Sequence, residues 1–161
     1  MKVWIFNDNI DTDAIMPAAY LNNNDPAYYS KYCLEKVNPQ FVKDVRPGDL
    51  ILAGENFGCG SSRESAPFAI KYLGVKGIIA KSFSRIFYRN AINIGLPVVI
   101  ADKYLYDGIA EADDVKLSDC YSRLEYSNGA KQTAVDLNYP SYIRFILKSG
   151  GLINAYERGL V

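Results

Sequence analysis

Residues 50–101, LILAGENFGCGSSRESAPFAIKYLGVKGIIAKSFSRIFYRNAINIGLPVVIA, decide the fold of this chain. Short apolar runs at 50–53, 77–81 and 98–101 predict buried strands, and the two segments between them carry apolar residues at helical spacing. Strands that alternate with helices pair in parallel, because each helix returns the chain to the same end of the sheet. We therefore predict an α/β protein with a parallel core sheet.

The two helices of this stretch have recognisable starts and ends. Ser61 and Glu64 match a capping box, which predicts Ser61 as the N-cap of the first helix. An apolar stripe over 66–73 follows, and Gly74 would end this helix. The second helix is predicted over 84–94.

Weaker signals surround this core. Residues 2–6 predict a first strand, and a short helical stretch is predicted around 28–37. Asn128-Gly129 between two β-rich segments predicts an antiparallel hairpin, and a final helix would end at Gly150-Gly151. The chain of 161 residues therefore reads as a single domain with a parallel core and added antiparallel strands.

Composition excludes several classes of function. Hydrophobic residues make up 49% and charged residues 22%, which is typical of a folded globular protein. Lys plus Arg equals Asp plus Glu, at 18 each, and this balance argues against nucleic acid as a partner. No apolar run reaches the roughly 18 residues of a membrane span, so we expect a cytoplasmic protein without a membrane partner.

The chain contains no histidine, which removes Ser-His-Asp triads, Cys-His pairs and His-ligated zinc. Its three cysteines, Cys33, Cys59 and Cys120, form no Cys-x-x-Cys motif. A zinc ribbon or an iron–sulfur cluster held by this chain alone is therefore not expected. We predict no metal ligands here, and Cys59 is interpreted as a small packing residue.

Residues 54–64, GENFGCGSSRE, are the strongest candidate site because they leave a strand and enter a helix. Glycine lets the backbone approach a ligand, and a helix N-terminus attracts anions. Arg63 adds a planar cation that suits a carboxylate or a phosphate. The pattern lacks the lysine of a P-loop and the third glycine of a dinucleotide fingerprint, so a carboxylate is favoured. An ordinary capped helix with a tight glycine turn is the alternative.

Three motifs in register resemble the small subunit of 3-isopropylmalate dehydratase, the swivelling-domain half of the aconitase superfamily. They are residues 7–21 (NDNIDTDAIMPAAYL), 54–67 (GENFGCGSSRESAP) and 80–93 (AKSFSRIFYRNAIN). The resemblance covers nearly the whole chain and fits the short, archaeal-type form. It implies a three-layer β/β/α swivelling domain.

The resemblance also implies a reaction and a partner. In this family a large subunit holds a [4Fe–4S] cluster with one open iron, and the two subunits form a heterodimer or heterotetramer. The pair isomerises 2-isopropylmalate and 3-isopropylmalate by dehydration and rehydration, in leucine biosynthesis. By motif position Ser61 would be the general base, and Ser62 and Arg63 would bind a substrate carboxylate. Asp13 would be a second catalytic residue, with Thr12 beside it as a substrate contact.

Substrate choice is expected to depend on a mobile loop around residues 20–31. Leu21 and Asn22 stand where family members contact the distinguishing group of the substrate. The run Asn22-Asn23-Asn24 supplies no cation for a distal carboxylate, which weakens the homoaconitase alternative. Isopropylmalate therefore comes first, and a small methylated malate such as dimethylmalate comes second. Ser65 departs from the His or Gln usual in the family, and its effect is left open.

Two alternatives to a catalytic subunit remain at this point. The chain could be a stand-alone carboxylate-binding or regulatory module, or a purely structural assembly subunit. On the enzyme reading it would be inactive alone, would expose an apolar surface for the large subunit and could self-associate through that surface.

Overall fold

The predicted parallel sheet is confirmed by the computed structural model, which describes residues 1–112 and 114–159. Four strands pair in parallel in the order β1-β2-β3-β4, so strands that are consecutive in the sequence are neighbours in the sheet. Their bounds are Val3–Phe6 (β1), Leu50–Ala53 (β2), Gly77–Ala80 (β3) and Val98–Ile100 (β4). All residues of β2 and β3 are buried, as expected for strands that are covered on both faces.

The helices connect and flank these strands. Among the described residues, eight segments are α-helices of four to nine residues. Two further segments, Ala18–Tyr20 and Ser30–Tyr32, are short 3₁₀ turns. The α-helices are Thr12–Ile15 (α1), Pro26–Tyr29 (α2), Phe41–Asp44 (α3), Ser65–Tyr72 (α4), Arg85–Asn93 (α5), Lys103–Ala110 (α6), Ser141–Lys148 (α7) and Leu152–Glu157 (α8).

A second sheet confirms the predicted hairpin. It is antiparallel, with the order β5-β6-β7 and the bounds Asp114–Leu117 (β5), Arg123–Asn128 (β6) and Lys131–Asp136 (β7). The turn at Asn128-Gly129 joins β6 to β7, and Asn128 pairs with Lys131 across it. Gly129 adopts a positive φ of 56°, which a tight hairpin turn requires.

Two apolar clusters define three layers. On one face of the parallel sheet, Ile51 and Ile78 join a cluster with Ile70 of α4 and Phe87 of α5. On the other face, alternate residues of the same strands join α6 and the antiparallel sheet; they are Leu50, Leu52 and Ile79 with Leu105, Val115 and Leu124. The parallel sheet therefore lies between a helical layer and the second sheet, in agreement with the predicted β/β/α architecture.

The prediction of Ser61 as a helix N-cap is wrong. Helix α4 begins at Ser65, and Glu64 is the N-cap residue without a side-chain cap hydrogen bond. Ser61 lies three residues before this N-cap, and its Oγ accepts from Nε of Arg63 and not from a helix N–H. The predicted helix around 28–37 is also wrong in extent, since only α2 and a 3₁₀ turn form there.

Among the described residues, no helix combines the length and apolar character that crossing a bilayer requires. Helices α1, α3, α6 and α8 and strand β5 were not predicted from the sequence.

Candidate functional site

The candidate site lies at the carboxyl ends of β1, β2 and β3. Three loops leave the sheet there, at residues 7–11, 54–64 and 81–84. The carboxyl edge of a parallel sheet is the usual place for a ligand site in α/β proteins. The sheet thus brings together the three motifs that stood out in the sequence.

The loop after β2 is held on both sides as if it were a further strand. Phe57 donates its N–H to the carbonyl of Ser82 and accepts from the N–H of Ser84, both at 3.0 Å. Toward the loop after β1, three backbone bonds connect Asn9 to Glu55 (2.8 Å), Gly58 to Ile10 (2.7 Å) and Thr12 to Cys59 (2.9 Å). This pairing fixes the course of the backbone up to Cys59.

Gly58 is required at the point where this loop crosses α5. Its φ is +76°, and a Cβ placed there would lie 2.2 Å from Cγ of Phe87. Phe87 cannot yield easily, because it is buried and packs edge-on against Phe57 with ring centroids 5.2 Å apart. The glycine therefore serves backbone conformation and close packing at once.

Ser61 follows this fixed segment and is exposed to solvent. Its Oγ accepts a hydrogen bond from Nε of Arg63 at 3.0 Å. Its backbone carbonyl accepts from the hydroxyl of Thr12 at 2.8 Å, and the two hydroxyl oxygens of Thr12 and Ser61 are 3.5 Å apart. Thr12 itself is only 2% exposed.

Arg63 forms a two-pronged ion pair with Asp13. Nη1 lies 2.7 Å from Oδ1 and Nη2 lies 3.1 Å from Oδ2, and Nη1 also donates to the carbonyl of Met16 at 3.3 Å. With the Nε bond to Ser61, four of the five guanidinium N–H groups are used. One N–H on Nη2 stays available to an incoming carboxylate while Asp13 remains in place.

Backbone donors complete the positive side of the site. In the described part of the chain, the N–H groups of Gly60, Ser61 and Ser62 donate to no acceptor. They lie just before α4, where the first N–H groups of a helix add partial positive charge. An anion that enters next to Ser61 would therefore meet several unused donors.

The other predicted substrate contacts, Ser62, Leu21 and Asn22, form no side-chain hydrogen bond with Ser61 or Arg63 among the described residues. Ser62 is exposed and makes no side-chain hydrogen bond within the described residues. Leu21 is half-buried against the main core, and Asn22 is exposed. Among the described residues, no hydrogen bond joins Leu21 or Asn22 to Ser61 or Arg63, so their contact with a substrate stays a prediction.

Two aromatic rings, one at each end of the segment 20–31, stack on each other. Tyr20 stacks on Tyr32 with centroids 3.7 Å apart and planes 5° from parallel. Asp25 caps α2 by accepting from the N–H of Ala27 at 2.9 Å. The predicted mobility of this segment stays a prediction.

Two positioning groups were not identified from the sequence. The carbonyl of Met16 is a partner of Arg63, and the Oγ of Ser82 accepts the N–H of Asn56 at 2.8 Å. A main-chain carbonyl leaves no signal in the sequence, whereas Ser82 lies within the motif at residues 80–93. Asp11 has the structural role of capping α1, where it accepts from the N–H of Ala14 at 2.6 Å.

The described residues do not fit an iron–sulfur cluster. No group of three or more His, Cys, Asp or Glu side chains among them could hold a metal ion. Cys33 is fully buried, and this burial raises the pKa of its thiol, while Cys59 is half-buried and Cys120 is exposed.

Comparisons with known proteins identify the family of the chain. Residues 8–103 match the family described as the aconitase C-terminal domain. A protein named 3-isopropylmalate dehydratase small subunit, from Caldicellulosiruptor saccharolyticus, is 50% identical over 152 residues, which cover 94% of this chain and 87% of that relative. One of the same name from Thermodesulfovibrio yellowstonii is 46% identical over 160 residues, with 99% and 94% coverage.

A solved structure is similar over nearly the full length. The crystal structure of 3-isopropylmalate dehydratase (leuD) from Methanocaldococcus jannaschii DSM2661 superposes with a TM-score of 0.85 at 43% identity. The match covers 98% of this chain and 92% of that one.

Proposed function

The chain belongs to the family of the aconitase C-terminal domain, and we propose that it acts as the small subunit of a 3-isopropylmalate dehydratase. This enzyme is a hydro-lyase that interconverts 2-isopropylmalate and 3-isopropylmalate by dehydration and rehydration, in leucine biosynthesis. The observation that carries the proposal is the exposed Ser61 hydroxyl, held by Arg63 at 3.0 Å and free of any helix-capping role.

Ser61 is the proposed general base. A serine hydroxyl ionises far above neutral pH, so its alkoxide forms only where preorganised donors stabilise the negative charge. Nε of Arg63 already contacts Oγ, and the unused N–H groups of the 60–62 segment lie next to it in the sequence. Enclosure by a partner would strengthen these interactions, because it removes competing water.

Arg63 and Ser62 are the proposed carboxylate contacts. Within the described ranges, the remaining Nη2 N–H of Arg63 and the hydroxyl of Ser62 have no partner, and both are available for such a contact. Asp13 holds the other side of the guanidinium and so keeps Nε directed at Ser61. We propose that Asp13, expected from its motif to be a second catalytic residue, acts by orienting the arginine.

Leu21 and Asn22 are the proposed contacts of the alkyl group of the substrate. Leu21 offers an apolar side chain, while Asn22 and its two asparagine neighbours carry no charge that would favour a distal carboxylate. This composition favours an isopropyl group over the second acid group of a homoaconitate. A dimethylmalate or methylmalate remains the second candidate substrate.

The large subunit is the proposed partner and the holder of the [4Fe–4S] cluster. Support comes from family membership and from the lack, among the described residues, of any cluster of metal-binding side chains. We also propose a cytoplasmic location, which suits the three free thiols.

Anaerobic reconstitution tests the function directly. The purified chain would be combined with its cluster-bearing subunit and assayed for hydration of isopropylmaleate, with citraconate, dimethylmaleate and homoaconitate in parallel. We expect turnover that requires both proteins and is fastest with isopropylmaleate. A faster reaction with another alkene would reassign the substrate, and no turnover by a stable, cluster-loaded complex would overturn the proposal.

Ser61→Ala separates catalysis from binding. Loss of a general base lowers kcat by about 10²–10⁴-fold, and the complex with the large subunit should form as before. Ser141→Ala, at an exposed serine of α7, is the matched control and should leave kcat unchanged. A Ser61→Ala complex with full activity would show that Ser61 is not the base.

A further inference from the structure

We infer that Thr12 is a positioning residue that fixes the peptide between Ser61 and Ser62, an inference that rests on the proposed function. Thr12 was expected from its motif to contact the substrate. Its burial and its hydrogen bonds in the structure point to a different task. The task concerns the direction in which one unused backbone donor points.

Thr12 bonds to the catalytic loop from two of its atoms. Its N–H donates to the carbonyl of Cys59 at 2.9 Å, and its Oγ1 donates to the carbonyl of Ser61 at 2.8 Å. These two bonds fix the peptide between Cys59 and Gly60 and the peptide between Ser61 and Ser62, and Gly60, with a φ of +88°, lies between the two fixed points. Both hydrogen bonds that hold the segment around this glycine therefore come from Thr12.

The hydroxyl bond has a consequence for Ser62. A trans peptide is planar, and its C=O and N–H point in opposite directions. No cis peptide bond is found in the described residues, so fixing the Ser61 carbonyl on Thr12 directs the Ser62 N–H away from Thr12. Because Thr12 is buried and Ser62 is exposed, this N–H points from the buried side of the loop toward its exposed side.

A direct contact between Thr12 and substrate is not supported by the same atoms. Its one hydroxyl hydrogen is donated to the Ser61 carbonyl, and the residue is 2% exposed. Its Oγ1 is 3.5 Å from Ser61 Oγ, which is too long for a strong hydrogen bond. Its β-branched side chain also has restricted rotation about χ1, which suits a fixed support.

The test uses the assembled enzyme with Thr12→Val, which keeps the shape of the side chain and removes the hydroxyl. We expect kcat to fall about 10-fold to 100-fold, because a small misplacement of a catalytic donor has that effect, while KM changes less than about threefold. Weaker stabilisation of the alkoxide raises the pKa of the base. The pH at which kcat becomes half-maximal should therefore move upward.

Thr12→Ser keeps the hydroxyl and should restore kcat to within about threefold of the unmodified enzyme. The matched control is Thr133→Val. Thr133 is the other threonine of the chain and lies in β7. Should Thr12→Val fail to assemble, Thr12→Ala and Thr12→Ser provide the same comparison.

Two results would overturn the inference. A raised KM with unchanged kcat would make Thr12 a substrate contact, and a lowered melting temperature with unchanged kcat and pH profile would make its role purely structural. An inactive unmodified complex would instead contradict the proposed function, so the two failures can be told apart.

Discussion

Arg63 links an exposed carboxylate to the proposed base through its planar guanidinium group. Asp13 is 57% exposed, and ion pairs at that exposure contribute about 0–1 kcal/mol to stability. The value of this pair to the protein is therefore expected in orientation: it keeps Nε of Arg63 directed at Oγ of Ser61. Catalysis and folding should respond differently when the pair is removed.

We predict that Asp13→Asn lowers kcat at least tenfold while the free energy of unfolding changes by less than about 1 kcal/mol. Asp107→Asn removes another exposed ion pair, that with Lys103 in α6, and should leave kcat unchanged. Steady-state kinetics of the assembled enzyme and urea unfolding of the chain measure the two quantities. A lower KM with full kcat would show instead that Asp13 competes with substrate for Arg63.

Gly58 and Gly48 allow close packing to be separated from backbone strain. Both adopt a positive φ, +76° and +98°, so alanine costs roughly 1–2 kcal/mol at either position. Only at Gly58 does the new Cβ meet Phe87, at 2.2 Å, whereas nothing lies within 4 Å at Gly48. Overpacking adds about 1–3 kcal/mol.

We therefore predict that Gly58→Ala is the less stable variant by about 1–3 kcal/mol and that it alone loses activity, because the residues next to Ser61 must shift. Chemical denaturation and kcat of the assembled enzyme measure both effects. Equal loss of stability in the two variants would mean that Phe87 moves aside without cost.

Single-residue patterns identified which side chains to examine but not how they interact. The motifs placed Ser61, Arg63, Asp13 and Thr12 in one site, and the structure brings these four together. Two of their hydrogen bonds, from Thr12 to Ser61 and from Arg63 to Asp13, join residues 49 and 50 positions apart, and spacing along the chain contains no information about such bonds. The capping box misled for a different reason: Ser61 and Glu64 have the right spacing, but Ser61 Oγ bonds to Arg63, only two residues away.

At the scale of elements, a buried carboxylate fastens the edge strand β1 to the start of β2. Asp49 accepts from the N–H of Lys2 at 2.9 Å, from Nε1 of Trp4 at 3.1 Å and from the N–H of Arg46 at 3.0 Å. Burial alone would raise the pKa of Asp49, but these donors outweigh it and hold the pKa below its ordinary value. The ionised form is therefore the one that stabilises the fold.

We predict that Asp49→Asn destabilises the chain by about 1–3 kcal/mol near neutral pH, since an amide cannot accept all three bonds. Because the pKa of Asp49 is lower in the folded than in the unfolded chain, its contribution is complete above about pH 3.9 and is lost as the pH falls through the folded-state value.

Urea unfolding of both forms from about pH 6 down to about pH 3 should therefore show a difference that shrinks on acidification. Asp44→Asn, at an exposed residue of α3, provides the control and should show a small difference throughout. A gap that stays constant over this range would contradict the assigned role of the ionised carboxylate.

Elements with strong periodicity were predicted, and those formed by tertiary packing were not. The strands β1 to β4 are continuous apolar runs, so they are recognisable in isolation. Helix α6 contains Gly108, which weakens a helical pattern, yet the absence of a Cβ there makes room for the ring of Tyr126. Helix α8 buries only Ala155 and so has almost no apolar stripe to detect.

At the scale of the whole molecule, the candidate site lies at one edge of the three-layer fold, at the carboxyl ends of β1, β2 and β3. The fold class followed from the alternation of strands and helices, whereas the position of the second sheet depends on which face of β2 and β3 it covers. Both faces of β2 and β3 carry apolar residues, so the sequence pattern does not indicate which face the second sheet covers. Ser61 and Ser62 are exposed in the free chain and are therefore accessible to the proposed large subunit.

This openness predicts a specific change on assembly. In the free chain the N–H groups of residues 60–62 have no acceptor among the described residues, so their hydrogens should exchange rapidly with solvent. In the complex with the large subunit and a bound substrate analogue, the same amides would face an anion and be shielded from water. We expect their exchange to slow at least tenfold, while exchange in the β6–β7 hairpin stays unchanged.

Mass-spectrometric hydrogen exchange on the free chain, on the complex and on the complex with a saturating alkylmalate separates the two causes. Protection that appears only with the ligand would support the donors as anion contacts, and protection that appears on assembly alone would assign it to burial in the subunit interface. Rapid exchange at residues 60–62 in an active, ligand-saturated complex would show that these donors do not stabilise the reacting anion, and stabilisation of the Ser61 alkoxide would then be assigned to Arg63.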